Sequence, residues 1–135
     1  MSRDNLEVVE LLVDAFNAQD ADAACAVLDD DVQWWPAYTG GGALEGAVYR
    51  GHAGFVRYLA DLSQTWREIE GYIDDLRMAG DRALLIARIR FVGASSGVEM
   101  VQPISGVFKF RHGKIAVAHY YVDRADALAA VGLRE

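Results

Sequence analysis

The chain is poor in cysteine, in basic side chains and in long apolar runs, and each shortage removes a class of function. One of its 135 residues is cysteine, so no internal disulfide forms. Cys25 sits in an alanine-rich helical stretch, the setting of a small buried thiol rather than a reactive one. Lysine and arginine number 13 against 20 aspartates and glutamates, for a formal net charge of −7. Nucleic acid and anionic membrane surfaces demand a basic footprint, so neither is expected as a partner. No stretch reaches the roughly 18 apolar residues of a membrane span, and the opening MSRDNLEVVELLV has no basic start followed by an uninterrupted apolar run. A cytoplasmic location is the expectation. No cysteine–histidine cluster has zinc spacing, and the glycine-rich stretch lacks the lysine of a phosphate loop, so no metal and no cofactor is expected.

What the chain has is apolar material. Hydrophobic residues make up 53% of it, enough for the core of one domain over residues 1–135 with apolar surface left for a pocket or a subunit interface. The most informative stretch is Asp81–Val92, DRALLIARIRFV. Side chains alternate across a strand, so Arg82, Leu84, Ile86, Arg88, Arg90 and Val92 share one face and Ala83, Leu85, Ala87, Ile89 and Phe91 the other. The second face is wholly apolar and must be covered. The first turns cationic towards its end, as a solvated surface does, or the wall of a cavity that holds something polar.

The other elements follow from periodicity. Leu6, Val9, Val13 and Phe16 recur at helical spacing between Asp4 and Gln19, and Asp20 caps a shorter helix through Leu28. Asp29, Asp30 and Asp31 are expected as a solvated turn rather than a metal site. Val32–Pro36 reads as a short strand with Val32 and Trp34 on one face and Gln33 and Trp35 on the other. The glycine-rich segment Ala37–Gly51 is expected to be a flap, with Tyr38 and Tyr49 as ligand-contact candidates. A third helix, His52–Ser63, carries Phe55, Leu59 and Leu62 on one stripe. Strands are expected at Trp66–Met78, Asp81–Val92, Val98–Arg111 and Lys114–Val122, followed by a helical turn capped by Asp123. Helices first and then an antiparallel meander spell α+β, with the helices on one face of a curved sheet.

Asn17-Ala-Gln-Asp20, Tyr49-Arg-Gly-His52, the hairpin Phe108-Lys-Phe-Arg-His-Gly-Lys-Ile115 and Tyr121-Val-Asp123 occur in an order that resembles the cone-shaped NTF2-like (cystatin-like) superfamily, in particular its SnoaL-like, polyketide-cyclase-related branch. The resemblance spans essentially the whole chain. It implies three N-terminal helices packed on a curved, mainly antiparallel sheet around a deep cavity, with the outer sheet face pairing with a second copy. Placed on this sequence, the cavity would hold Trp34, Arg88, Arg90, Gln102, Ile104, Tyr120 and Val122, closed by Val13, Phe16, Phe55, Leu59 and Leu62, with Tyr49 and His52 near its mouth. The outer, dimerising face would hold Leu85, Ala87, Ile89, Phe91, Val101, Val117, His119 and Tyr121.

The resemblance fixes no reaction, because that scaffold hosts isomerases, cyclases, hydrolases and binding domains. The acids and tyrosine of its steroid-isomerase branch fall here on Pro36, Leu12 and Gly106. The Asp-Arg-Asp arrangement of its epoxide-hydrolase branch keeps Arg88 but meets Arg90 and Tyr120 where carboxylates belong. Hydrolysis of that type is therefore not expected. Arg88 and Arg90 need partners, either Glu68, Glu70, Asp74 or Glu99 on neighbouring strands, or the carboxylate or enolate oxygen of an apolar ligand. Two functions stay open. One is a small enzyme of isomerase or cyclase type in which Arg88 and Tyr120 stabilise developing negative charge; the other is a non-catalytic ligand-binding or dimerisation domain.

Overall fold

The computed structural model describes residues 4–37 and 48–133. Helix α1 (Asn5–Asn17) begins where the Asp4 carboxylate accepts the Leu6 N–H at 3.0 Å, and α2 (Ala21–Val27) where Asp20 accepts the Ala23 N–H at 3.1 Å. Strand β1 (Leu28–Trp35) follows directly, so the three aspartates open a strand instead of forming the expected turn; Asp29 faces Arg111 at 3.6 Å. After β2 (Tyr49–Arg50) comes α3 (Gly51–Thr65), which buries Phe55, Tyr58, Leu59 and Leu62. Strands β3 (Trp66–Ala79), β4 (Arg82–Gly93), β5 (Glu99–Arg111) and β6 (Lys114–Tyr121) form the meander, and α4 (Arg124–Ala130) closes it. Tyr38 and the flap's glycines 40–46 lie outside the described residues.

The six strands form one sheet in the order β2-β1-β6-β5-β4-β3, with β1 parallel to β6 and every other pair antiparallel. The α+β expectation holds. Register decides which face is which. Ala87 lies opposite Ile104, Ile89 opposite Gln102 and Leu85 opposite Gly106. Residues directly opposite in an antiparallel pair share a face, so Ala83, Leu85, Ala87, Ile89 and Phe91 turn inward, where all five are buried with α1 and α3 in the main core. This reverses the expected faces of β4. Burying a side chain the size of Leu85 or Phe91 stabilises the fold by roughly 1.5–3 kcal/mol, whereas burying the Arg88 and Arg90 guanidiniums unpaired would cost several.

The outer face is partly covered within the chain. Leu84 and Val107 pack against Ala127 and Leu128 of α4, and Arg82 donates from Nη1 to the Ala130 carbonyl at 2.7 Å, holding that helix down. Beside it, the His119 ring is stacked between Trp35 and Tyr121, with centroids 5.3 and 4.3 Å away.

The free edge of β3 is tied to α1 by one side chain. Asn17 donates from Nδ2 to the Gly71 carbonyl at 3.0 Å and accepts the Gly71 N–H at 2.8 Å. A single amide thus does for this peptide what a neighbouring strand would do.

Replacing Asn17 with Ala leaves both Gly71 groups unpaired in a partly buried place, and stability is expected to fall by about 1–3 kcal/mol. Urea unfolding checks this as a lower midpoint at unchanged slope. His119 supplies a pH dependence. Burial lowers its pKa from the ordinary 6.5, so below that pH the unfolded chain binds the proton more readily than the folded one. Stability is expected to fall as pH drops below the ordinary histidine value of 6.5, and His119→Gln is expected to flatten this slope in urea titrations at each pH.

Candidate functional site

Between the inner sheet face and the helices lies a cavity with about 50 Å³ of free space. One water needs roughly 10–15 Å³, so the space suits a small molecule of about one ring. Leu12, Val13 and Phe16 of α1 and Tyr58 and Leu62 of α3 form one wall. Ile69, Gly71 and Ile73 of β3, Leu85 to Phe91 on the inner side of β4, Ile104 of β5 and Tyr120 of β6 form the other, with Trp34 and Ala37 at the end of β1.

An aromatic cluster makes the polar end. Trp34 packs edge-on against Phe55 at 4.8 Å and tilted against Tyr58 at 5.4 Å and Tyr120 at 5.2 Å. Tyr120 also meets Phe108 edge-to-face at 5.7 Å. That contact needs Gly106, where a Cβ would stand 3.1 Å from both rings. Tyr120 is enclosed by protein yet keeps part of its surface accessible, as a side chain walling an internal cavity does. Burial pushes its phenol well above the ordinary value, the Tyr58 charge adding a little. Tyr58 is raised likewise, chiefly by burial and only partly offset by Trp34. The Trp34 indole N–H is buried with no hydrogen-bond partner of good geometry. Both phenols therefore stay protonated and act as donors, not bases.

The cationic residues are elsewhere. Arg88 borders the rim, but its guanidinium is half exposed, binds Asp74 through Nε at 3.1 and 3.0 Å and through Nη2 at 3.0 Å, and lies 5.8 Å over the Tyr72 ring. Arg90 is held between Glu68 at 3.3 Å and Glu99 at 3.2 Å, on the outer side. The expectation that these two arginines project from the cavity wall is corrected: opposite them across the sheet run Tyr72, Pro103 and Val101, not the inner row.

Of the other residues expected at the site, Val13, Phe16, Trp34, Leu62, Ile104 and Tyr120 line the cavity. Phe55 and Leu59 are buried in the core but stand behind the wall, and Gln102 shares the inner face without reaching the cavity. Val122 is 47% exposed past the end of β6, so it is not a wall residue. Tyr49 donates to Asp61 at 2.7 Å, and His52 donates from Nε2 to the Leu28 carbonyl at 2.9 Å; both are engaged in local structure away from the lining. The sequence reading passed over Tyr58, although its position three residues after Phe55 and four before Leu62 puts it on the same helical stripe. It also passed over Gly71, which carries no side chain to notice.

Among the described residues no Asp, Glu or His lines the cavity, and no group of three or more His, Cys, Asp or Glu is placed to hold a metal ion. The arrangement can desolvate an apolar body and donate hydrogen bonds to an oxygen. Among the described residues its lining offers no carboxylate or imidazole to abstract a proton. No helix among the described residues is long and apolar enough to cross a membrane.

Comparison with known proteins places the fold. An NTF2-like protein of unknown function from Burkholderia pseudomallei superposes with a TM-score of 0.76 at 20% identity, over 95% of this chain and 97% of that one. A putative polyketide cyclase from Pseudomonas putida gives 0.71 at 22% identity, over 92% and 95% of the two chains. An LEH-like epoxide hydrolase from M. tuberculosis gives 0.70 at 19%, over 94% and 88%. At such identities the likeness speaks for the fold alone. No curated protein sequence gives a significant match. Residues 9–118 match the SnoaL-like domain, a span that runs from within α1 into β6 and takes in every lining residue named above except Tyr120: the chain belongs to the SnoaL-like domain family.

Proposed function

We propose that the cavity binds a small, uncharged, largely apolar molecule carrying a carbonyl-type oxygen, with Tyr120 donating to that oxygen. The observation that carries this reading is the electrical neutrality of the walls: apolar side chains and protonated phenols, with Arg88 taken up by Asp74 at the rim. A carboxylate placed inside would lose its hydration without gaining a cation, a cost of several kcal/mol. A ketone, aldehyde, lactone or quinone pays far less to enter and gains the phenol's hydrogen bond.

The same walls favour binding over turnover. Donors that meet an oxygen can stabilise an enolate, but isomerase or cyclase chemistry also needs a base to form it, and the described walls supply none. The solved relatives include a putative polyketide cyclase. Their likeness is compatible with a scaffold kept for ligand binding.

Acetophenone and benzoate, equal in ring and opposite in charge, test the reading by titration calorimetry or by quenching of tryptophan fluorescence. Acetophenone is expected to bind and benzoate is not. Tyr120→Phe keeps the ring and removes one hydrogen bond, so acetophenone affinity is expected to fall roughly 2- to 12-fold. Benzoate binding as tightly as acetophenone, or an unchanged affinity in Tyr120→Phe, overturns it.

A further inference from the structure

We infer that Gly71 sets the size of the ligand the cavity admits: the missing side chain at this strand position is the notch into which one edge of a ring fits. The inference rests on the reading of the cavity as a ligand site and names the residue that limits the ligand.

Along β3 the inner-facing residues run Ile69, Gly71, Ile73, and all three line the cavity. An isoleucine on each side marks the position as one where a side chain would ordinarily project. Nothing in the backbone calls for glycine. Gly71 lacks the left-handed φ seen at Gly51, Gly80, Gly97, Gly113 and Gly132, so any L-residue can adopt its conformation. Close packing does not call for glycine either. A Cβ built here meets nothing nearer than Asn17 Oδ1 at 3.8 Å and Val13 Cγ1 at 3.9 Å, both ordinary contacts. Gly106 is the contrast, because there a Cβ would stand 3.1 Å from two aromatic rings. What glycine leaves at position 71 is room for a side chain on the cavity wall, with Asn17 and Val13 as the nearest neighbours and Ile89 as its strand partner on β4. A glycine inside a strand commonly marks close approach of another group to the backbone.

Asn17 makes the bare backbone tolerable. Its amide holds both the N–H and the carbonyl of Gly71, at 2.8 and 3.0 Å, so the peptide beside the notch needs no water and competes for none of the ligand's polar groups. An apolar ring edge can then lie against it without stranding a hydrogen bond. The class of ligand this admits is a single flat ring bearing one acceptor; a methyl at position 71 would take the room the ring edge needs.

Gly71→Ala tests this with two probes, xenon for the empty space and acetophenone for the ligand. Because the backbone is compatible with alanine, the variant is expected to unfold at the same temperature as the parent or a higher one. Acetophenone affinity is expected to fall roughly 10-fold or more, the weight of one methyl group in a closed apolar pocket. The xenon-induced shift in ¹²⁹Xe NMR is expected to shrink with it. Opposed changes in stability and binding are what a filled notch produces; a merely structural role for Gly71 would lower both. If Gly71→Ala unfolds early, or takes up xenon as the parent does, the inference is overturned. A parent that takes up xenon, lost in Gly71→Ala, while binding no acetophenone upholds the notch and refutes only the carbonyl ligand. A parent that takes up neither refutes both.

Discussion

Which face of β4 meets the helices is the constraint on which the rest of the structure depends. Once Ala87 pairs with Ile104 and Ile89 with Gln102, the uniform row Ala83, Leu85, Ala87, Ile89 and Phe91 is committed to the interior and the arginines are committed to the outside. A one-residue slip would exchange the two rows. It would bring charged guanidiniums against Phe16 and Leu62, and it would strip Asp74, Glu68 and Glu99 of their partners. The penalty for that exchange is large compared with the few kcal/mol by which domains are stable, and so the register is strongly specified. The neutrality of the cavity is a by-product of this choice.

Much of this was readable from residue order. The helical stripes of α1 and α3, the turns at Gly80 and Gly113, the alternation through the meander and the inward placement of Trp34, Ile104 and Tyr120 all follow from periodicity and from which side chains avoid water. The β4 faces did not, and the reason is instructive. The sequence marks Ala83 to Phe91 as a surface that must be covered, but it does not say by what. Both the helices of the same chain and a second copy would serve, and assigning the arginines to ligand chemistry chose the second copy. Pairing partners would have decided the matter, since Gln102 and Ile104 cannot face inward unless Ala87 and Ile89 do. Gly71 was illegible for a different reason: its contribution is a void, and a void is defined by neighbours from α1 and β4 far away in sequence.

The outer face illustrates how a small element changes what a surface is for. Leu84 and Val107 would be exposed apolar residues on a bare sheet, but α4, seven residues long, covers them with Ala127 and Leu128 and is fastened by Arg82. Next to it the stack of Trp35, His119 and Tyr121 buries ring faces against one another. The remainder of the face carries Arg88 with Asp74, and Arg90 with Glu68 and Glu99. Both arginines are thereby engaged by carboxylates of this chain, with Tyr72 and Val101 exposed beside them.

Tyrosine at position 120 gains its meaning from that division of labour. In a cavity holding fixed carboxylates or guanidiniums, a phenol is one polar group among several and its proton is contested. Here burial is the main influence on Tyr58 and Tyr120, and Arg88 at the rim is paired with Asp74, so each phenol proton is held more tightly than in water. The Tyr120 phenol, protonated and with its ring against Trp34 and Phe108, is a hydrogen-bond donor that carries no charge. In the proposed binding mode it meets an oxygen's lone pairs and gives an anion no counter-charge. The alternation of β4 and β6 thus sorts the polar groups by kind: the guanidinium–carboxylate pairs of Arg88 and Arg90 stand on the outer side of the sheet, and the phenol of Tyr120 stands at the cavity.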